Sequence, residues 1–221
     1  MKIYSIPDTI TTIIFDIDGT LYTNSDYVKE QVDVQLRHWA KINGMSADEA
    51  RKKMANFREN WALSHGGEKI SLGNAFIAFG VDLETSIKWR NELLVPENYL
   101  KVDKKLFDAL SALKKTKCVS YVCVTNNPVQ AAKRTLKALG VEKLLPQVVG
   151  LDSCKKSKPA KEMLELALKI TGAKAENCLS VGDRYDIDLA LPLQLGMGAV
   201  LVTGVEDVYN LCNRLSENLS F

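Results

Sequence analysis

The chain has 221 residues, of which 46% are hydrophobic and 25% are charged, and its formal net charge is +2. The length predicts one or two globular domains. The nearly neutral charge argues against a nucleic-acid partner, and the apolar runs, far shorter than the ~20 residues of a membrane span, argue against a membrane segment. The start of the chain shows no signal-peptide pattern, and the five cysteines include no C-x-x-C pair. We therefore expect a cytoplasmic protein with reduced thiols.

The first predicted strand covers residues 11–15, a short apolar run rich in β-branched residues that indicates burial on both faces. Asp16 and Asp18 follow it with one residue between them, and Gly19 then allows the backbone to turn. Ligands of open α/β sheets bind beyond the carboxyl ends of the strands, so both acids are candidate functional residues. A simple polar turn would explain Asp18 and Gly19, but not an acid directly after a buried strand, where an unpaired charge is costly.

Residues 22–95 show only helical patterns, with four helices in succession. The apolar stripe of the first helix consists of Val28, Val32, Leu36 and Trp39. A capping box formed by Ser46 and Glu49 begins the second helix, and Pro96 ends the last one. This segment is predicted to be a small helical module.

Strands and helices alternate after residue 101. The predicted strands are residues 119–124, 148–149, 179–181 and 199–202. Strands that alternate with helices indicate a parallel sheet with helices on both faces. We therefore predict an α/β fold in which residues 1–21 and 100–221 form a doubly wound, Rossmann-like parallel sheet. An all-helical cap domain, residues 22–99, is inserted after the first strand.

Further candidate residues follow the later strands. Thr125 and Asn126 come after the strand at 119–124, where a hydroxyl and backbone N–H groups can hold phosphate oxygens, although an ordinary turn explains them equally well. Lys158 precedes Pro159 at a predicted helix start, and its ammonium group is expected near the helix N-terminus, where anions bind. Without the other motifs, a solvated surface lysine would be the better interpretation.

An acidic segment follows the strand at 179–181. It places Asp183, Asp186 and Asp188 within six residues, directly after Gly182. Clustered carboxylates after a buried strand are typical of a magnesium site, because this cation prefers oxygen ligands. Helix capping would account for Asp186 but poorly for the whole group.

Taken in order, these segments resemble the motif set of the haloacid dehalogenase (HAD) superfamily: D-x-D-G-T after a strand, then T-N, K-P and G-D-x-x-x-x-D. The resemblance spans nearly the whole chain. It implies that Asp16 is a nucleophile that becomes phosphorylated and that Asp18 is the general acid and base. The implied substrate-binding residues are Thr125, Asn126 and Lys158. The implied ligands of a Mg²⁺ cofactor are Asp16, Asp18 through its backbone carbonyl, Asp183 and, as a supporting acid, Asp188.

This resemblance implies a magnesium-dependent phosphatase that hydrolyses a small phosphorylated metabolite through an aspartyl-phosphate intermediate. Dehalogenase members lack an acid at the position of Asp18, which argues against carbon–halogen cleavage. Two alternatives remain open. One is a sugar phosphomutase of the β-phosphoglucomutase type, which keeps both acids, and the other is a non-catalytic phosphate-binding regulatory domain. The sequence does not indicate the oligomeric state.

The predicted cap is expected to select the substrate. Its layout is similar to that of pyrimidine 5′-nucleotidase-like members, which implies a nucleoside monophosphate as substrate. The Tyr-Gly-Thr-Thr stretch of that group is absent, and Leu72-Gly73-Asn74-Ala75 lies in that region. Residues 65–69, His-Gly-Gly-Glu-Lys, are a candidate substrate-facing loop, with a solvated connector as the alternative.

Overall fold

The computed structural model describes residues 1–68 and 70–217 of the chain. It contains two compact units. The first unit combines Met1–Ser25 with Pro96–Phe221, and the second unit is Asp26–Val95. The predicted cap begins four residues before the second unit and ends four residues after it. Its role as a cap stays a prediction.

Among the described residues, six strands form the sheet of the first unit. They are β1 (Lys2–Ser5), β2 (Thr12–Phe15), β3 (Ser120–Val124), β4 (Val148–Val149), β5 (Cys178–Gly182) and β6 (Gly198–Leu201). Their order is β1-β6-β5-β2-β3-β4, with β2 to β6 parallel and β1 antiparallel to β6. All four residues of β2 are buried, as its apolar and β-branched sequence predicts for a central parallel strand. The predicted α/β class with a doubly wound parallel sheet is confirmed.

β1 was not predicted. It lies at the edge of the sheet, where Lys2 pairs with Leu201, and three of its four residues are exposed. An exposed edge strand needs no continuous apolar run and is often charged, so its sequence has little of the pattern that identifies central strands.

Ten α-helices lie in the described part of the chain. They are α1 (Ser25–Ile42), α2 (Ala47–Ser64), α3 (Leu72–Ile77), α4 (Leu83–Leu93), α5 (Lys104–Lys117), α6 (Val129–Ala138), α7 (Leu151–Cys154), α8 (Lys161–Thr171), α9 (Ala190–Gln194) and α10 (Val205–Ser216). A π-helical turn, Tyr185–Leu189, precedes α9. In the described part of the chain, no helix is both long enough and apolar enough to cross a membrane.

Both faces of the sheet are covered by helices. In β3, Val122 belongs to an apolar cluster with Met163 of α8, whereas the hydroxyl of the preceding residue, Tyr121, donates to the backbone oxygen of Leu110 in α5. Because neighbouring residues of a strand point to opposite faces, α8 and α5 lie on opposite sides of the sheet. This arrangement explains why the parallel strands are mostly apolar.

The strand order places a topological switch point between β2 and β5. From β2 the chain proceeds outward to β3 and β4, then returns to β5 on the other side of β2 and proceeds to β6. The loops that follow these two strands leave a crevice at this point, and ligands of open α/β sheets bind in such a crevice. The backbone N–H of Asp16 still donates to the carbonyl of Val181 at 2.9 Å. The ladder therefore fixes the position of Asp16 at the crevice.

The second unit has its own apolar core. The side chains of Trp39, Phe76 and Trp89 meet there, with ring centroids 5.7 Å apart for Trp39–Phe76 and 5.6 Å for Phe76–Trp89. The predicted capping box of α2 is confirmed, since Ser46 Oγ accepts from Glu49 N and Glu49 Oε2 accepts from Ser46 N.

The predicted apolar stripe of α1 is partly wrong. Leu36 and Trp39 are buried, but Val28 and Val32 are each 40% exposed. Steps of four residues drift around a helix with 3.6 residues per turn, so the first half of the predicted stripe leaves the buried face. The buried face of α1 instead includes Gln35, whose side-chain oxygen accepts a 3.2 Å hydrogen bond from Arg90 in α4. A local sequence pattern cannot predict this polar contact between two helices.

Candidate active site

The loop after β2 carries the first two acids into the crevice. Asp16 is only 4% exposed. Gly19 has φ +86°, and a Cβ atom at this position would lie 2.5 Å from Asp183 Oδ2. Glycine is therefore required here both for the backbone conformation and for the close approach of the loop after β5. Thr20, which the sequence analysis did not single out, donates from Oγ1 to Asp16 Oδ2 at 3.3 Å.

Three carboxylates converge at the switch point. Asp16, Asp183 and Asp188, which we call the acid cluster, each contribute one oxygen to a group within 4.8 Å. The π-helical turn after β5 returns the chain so that Asp188 packs against Gly182, where a Cβ atom would lie 2.4 Å from that of Asp188. The backbone N–H of Arg184 donates to Asp188 Oδ2 at 3.0 Å. These contacts place Asp188 beside Asp16 although the two are distant in sequence.

Lys158 lies between two members of the acid cluster. Its buried ammonium group contacts Asp16 Oδ1 and lies 2.7 Å from Asp188 Oδ1. Helix α8 begins at Lys161, two residues after the predicted start at Pro159, and Lys158 lies in the turn before it. The sequence did not indicate that the ammonium group would pair with two carboxylates. Asn126 Oδ1 accepts a 2.6 Å hydrogen bond from the backbone N–H of Lys158 and so anchors this segment next to β3.

Burial and neighbouring charges shift the pKa values of the site. Burial raises the pKa of Asp16 to about 7, although the positive charge of Lys158 acts in the opposite direction. Burial alone would lower the pKa of Lys158, but the charges of Asp16 and Asp188 outweigh it and raise that pKa. Burial also raises the pKa of Asp183, against the effect of Arg184. Burial therefore disfavours the ionised form of Asp16 and Asp183, and the neighbouring cations oppose this effect.

Asp18 is not a member of the acid cluster and is held by different groups. Tyr22 donates from its hydroxyl to Asp18 Oδ1 at 2.6 Å, and Asn127 donates from Nδ2 to Asp18 Oδ2 at 2.9 Å. Thr125 Oγ1 lies 3.5 Å from the same Oδ2 and accepts a hydrogen bond from the backbone N–H of Asn127. The sequence did not indicate the roles of Tyr22 and Asn127. Both adjoin recognised motifs, but a tyrosine or asparagine at such a position has many ordinary roles.

The donor set fits a divalent cation. Asp183 Oδ1 is buried and accepts no hydrogen bond from the described residues, and its nearest ion-pair partner, Arg184 Nε, is 3.4 Å away. The acid cluster together with Asp18 supplies four carboxylates against the two cations Lys158 and Arg184. The formal surplus of two negative charges and the all-oxygen donor set match Mg²⁺ better than a metal that prefers nitrogen or sulfur.

Other predicted residues lie outside this arrangement. Asp186 is exposed and does not belong to the acid cluster. His65, at the start of the candidate loop, is exposed and stacks on Trp61 with a centroid distance of 3.9 Å. Lys69, at the end of this loop, lies outside the described residues. The segment at residues 72–75 forms the first turn of α3.

These features define an α/β enzyme with an acidic, lysine-containing site at the switch point of a parallel sheet. The chain belongs to the haloacid dehalogenase-like hydrolase family, whose model matches residues 10–196. This membership confirms the predicted superfamily and the prediction of a hydrolytic enzyme of the phosphatase type.

Individual relatives are distant. Pyrophosphatase PpaX of Listeria monocytogenes is 25% identical over 181 residues, which cover 80% of this chain and 76% of that protein. A HAD phosphatase from Thermococcus onnurineus has a TM-score of 0.61 at 20% identity, with 91% of this chain and 97% of that chain covered. β-Phosphoglucomutase from Clostridium difficile has a TM-score of 0.55 at 14% identity, with coverage of 95% and 98%. The two structural similarities show a shared fold.

Proposed function

We propose that this chain is a magnesium-dependent phosphatase in which Asp16 attacks the phosphorus atom of a small phosphorylated metabolite. The observation that carries the proposal is the convergence of the acid cluster with the ammonium group of Lys158 at the switch point. Phosphoryl transfer depends mainly on positioning and charge neutralisation, and a carboxylate can serve as its nucleophile. A fixed carboxylate beside a buried cation meets both requirements.

The two acids of the first motif have separate roles in this proposal. An oxygen of Asp16 forms a bond to phosphorus while the bond to the leaving oxygen breaks, which gives an aspartyl phosphate. Asp18 donates a proton to the leaving oxygen and then takes a proton from the water molecule that hydrolyses the intermediate. Both residues return to their initial state, and inorganic phosphate is released.

The residues that would hold magnesium are Asp16, Asp183 and the backbone carbonyl of Asp18, with Asp188 as the supporting acid. When bound, the ion supplies positive charge that favours ionised Asp16 and offsets the charge of the phosphate oxygens. The ammonium group of Lys158 adds to this neutralisation. Thr125 and Asn126, which follow β3 directly, are the other proposed contacts of the phosphate oxygens.

Two small substrates are candidates. The name of the Listeria relative makes pyrophosphate one of them, and the sequence pattern of the predicted cap makes a nucleoside monophosphate the other. We propose neither a nucleic acid nor a membrane as a binding partner.

All five cysteines lie in the described residues and are free. Free thiols are usual in a reducing compartment, and we therefore propose a cytoplasmic location.

The first test compares wild type with Asp16→Asn, which keeps the side-chain volume but removes the attacking oxygen. With magnesium, wild type should release phosphate from a panel of p-nitrophenyl phosphate, pyrophosphate and nucleoside monophosphates, and Asp16→Asn should lose at least about 1,000-fold in kcat. Appreciable turnover by the purified variant would refute the nucleophile assignment. β-Glucose 1-phosphate with its bisphosphate activator separates hydrolysis from mutase chemistry, since rapid formation of glucose 6-phosphate with little free phosphate would favour the mutase.

The second test measures metal binding without turnover. Magnesium at about 100 times its Kd should stabilise wild type by about 2.7 kcal/mol and raise its melting temperature. Asp183→Asn should lose most of this shift. Asp186→Asn is the matched control, because Asp186 is three residues away but exposed and outside the acid cluster. If magnesium raised the melting temperature of both variants equally, Asp183 would be excluded as a ligand. Activity should also disappear on chelation and return with magnesium.

A further inference from the structure

Tyr22 is a buried tyrosine whose hydroxyl group reaches the acid/base residue of the proposed mechanism. It donates a 2.6 Å hydrogen bond to Asp18 Oδ1, and the side chain of Asn127 donates a 2.9 Å hydrogen bond to Asp18 Oδ2. The two oxygens of Asp18 therefore have separate donors on separate loops, one after β2 and one after β3. The contact of Thr125 with Oδ2, at 3.5 Å, is at the limit of a hydrogen bond and adds little.

These donors restrict the orientation of Asp18. An aspartate side chain rotates about two bonds. A hydrogen bond to one carboxylate oxygen does not fix the position of the other oxygen. Donors at both oxygens fix the plane of the carboxylate as well as its direction. Asp18 is only partly buried, so water could satisfy its charge without either donor. The paired donors thus contribute geometry beyond compensation for burial.

We propose that Tyr22 is a positioning residue that, together with Asn127, holds the carboxylate of Asp18 in the orientation for proton transfer. This inference rests on the proposed function. Asp18 gives its proton to the leaving oxygen and takes one from water, while Tyr22 keeps its own proton throughout. A displacement of about 1 Å in a reacting group can cost about 100-fold in rate. The loss of one of two donors should accordingly lower kcat by about 10- to 100-fold and leave KM nearly unchanged.

The variant Tyr22→Phe tests this role, with Tyr121→Phe as the matched control. Both tyrosines are 3% exposed and lie in the same unit, but the hydroxyl of Tyr121 donates to the backbone oxygen of Leu110. Steady-state kinetics should use the alkyl phosphate that wild type hydrolyses fastest, and thermal unfolding should be recorded for each variant. We expect the fall in kcat for Tyr22→Phe only, with KM within about twofold, whereas Tyr121→Phe loses stability but keeps kcat within about twofold.

The same substitution in an Asp18→Asn background shows whether Tyr22 acts through Asp18. p-Nitrophenyl phosphate needs no proton donor for its leaving group, so Asp18→Asn should still give a burst of nitrophenol as Asp16 is phosphorylated. Adding Tyr22→Phe should leave the burst rate unchanged within about twofold, because a residue that acts only through Asp18 has no effect once that carboxylate is gone. A burst rate lower by about 10-fold or more would show that Tyr22 acts independently of Asp18 and would overturn the proposal.

Other outcomes are also decisive. An unchanged kcat for Tyr22→Phe would limit Tyr22 to a structural role, and a higher KM alone would make it a substrate-binding residue. If Tyr22→Phe does not fold, Asn127→Ala removes the donor at the other oxygen and should give the same fall in kcat. If wild type hydrolyses no phosphate compound, the proposed function fails and this inference fails with it. Active wild type with an unaffected Tyr22→Phe refutes the inference alone.

Discussion

Replacing Lys158 by methionine should destabilise the protein strongly, because it removes an ammonium group that two buried carboxylates share. The side chains of Lys158, Asp16 and Asp188 are 6%, 2% and 3% exposed, so water screens none of these charges well. Methionine has a similar length and no charge. The packing is therefore largely kept, and the change in stability reports the electrostatic interaction.

The expected size follows from the burial of these groups. Removal of one partner from a buried ion pair costs about 3–5 kcal/mol, since the remaining charge is left uncompensated. Burial raises the pKa of Asp16 to about 7, so uptake of a proton relieves part of this cost near neutral pH. We therefore expect the lower end, about 3 kcal/mol, which corresponds to a fall in melting temperature of about 6–12 °C for a chain of this size.

The assay is thermal unfolding followed by circular dichroism in the presence of a chelator, so that no divalent cation replaces the missing charge. Lys161→Met is the matched control. Lys161 lies three residues further on and pairs with Glu165 at 2.8 Å, but its side chain is 60% exposed. Such a surface pair is worth about 0.3–0.5 kcal/mol. If both variants melted within about 2 °C of each other, the buried lysine would contribute no more than the exposed one, and the reasoning would be refuted.

Three further predictions use simple variants. Gly19→Ala should cost more stability and activity than Gly172→Ala, because both glycines have positive φ but only Gly19 has a carboxylate oxygen in the space of the added Cβ; equal melting temperatures would contradict this. Asp33→Asn should lower the free energy of unfolding by about 0.5–1 kcal/mol at neutral pH. Hydrogen bonds from arginines hold the pKa of Asp33 below its usual value, so the difference between wild type and variant should vanish in thermal unfolding below that pKa. With a thiol reagent, exposed Cys118 should react in the native state, whereas Cys123, buried and with a raised pKa, should react only after unfolding.

The sheet could be predicted because its central strands are buried on both faces. Such strands are mostly apolar, and each is followed by a turn and a helix, so their type and order follow from local patterns. β1 has neither feature, since most of it is exposed at the edge. The burial of Gln35 depends on Arg90, which is 55 residues away in sequence. A local pattern contains no information about such a partner.

The convergence of the acid cluster could also be predicted, because parallel strands bring their carboxyl ends to one edge of the sheet. This topology alone places Asp16 near Asp183. The contacts of individual side chains did not follow from it. Lys158 was expected at the start of a helix but lies in the turn before it, and its ammonium group contacts Asp16 and Asp188. The donors to Asp18 were missed because their function depends on side-chain direction, which neither composition nor spacing determines.

The choice between pyrophosphate and a nucleoside monophosphate concerns the leaving group. A departing phosphate carries its charge without a proton, whereas a departing alkoxide needs the proton of Asp18. Both substrates then give the same aspartyl phosphate on Asp16. Tyr22→Phe should therefore slow formation of this intermediate from an alkyl ester much more than from pyrophosphate, but should slow its hydrolysis equally for both. Rapid-quench measurements separate the two steps. A rate of hydrolysis that depended on the original substrate would contradict the covalent mechanism, because the leaving group is no longer part of the intermediate.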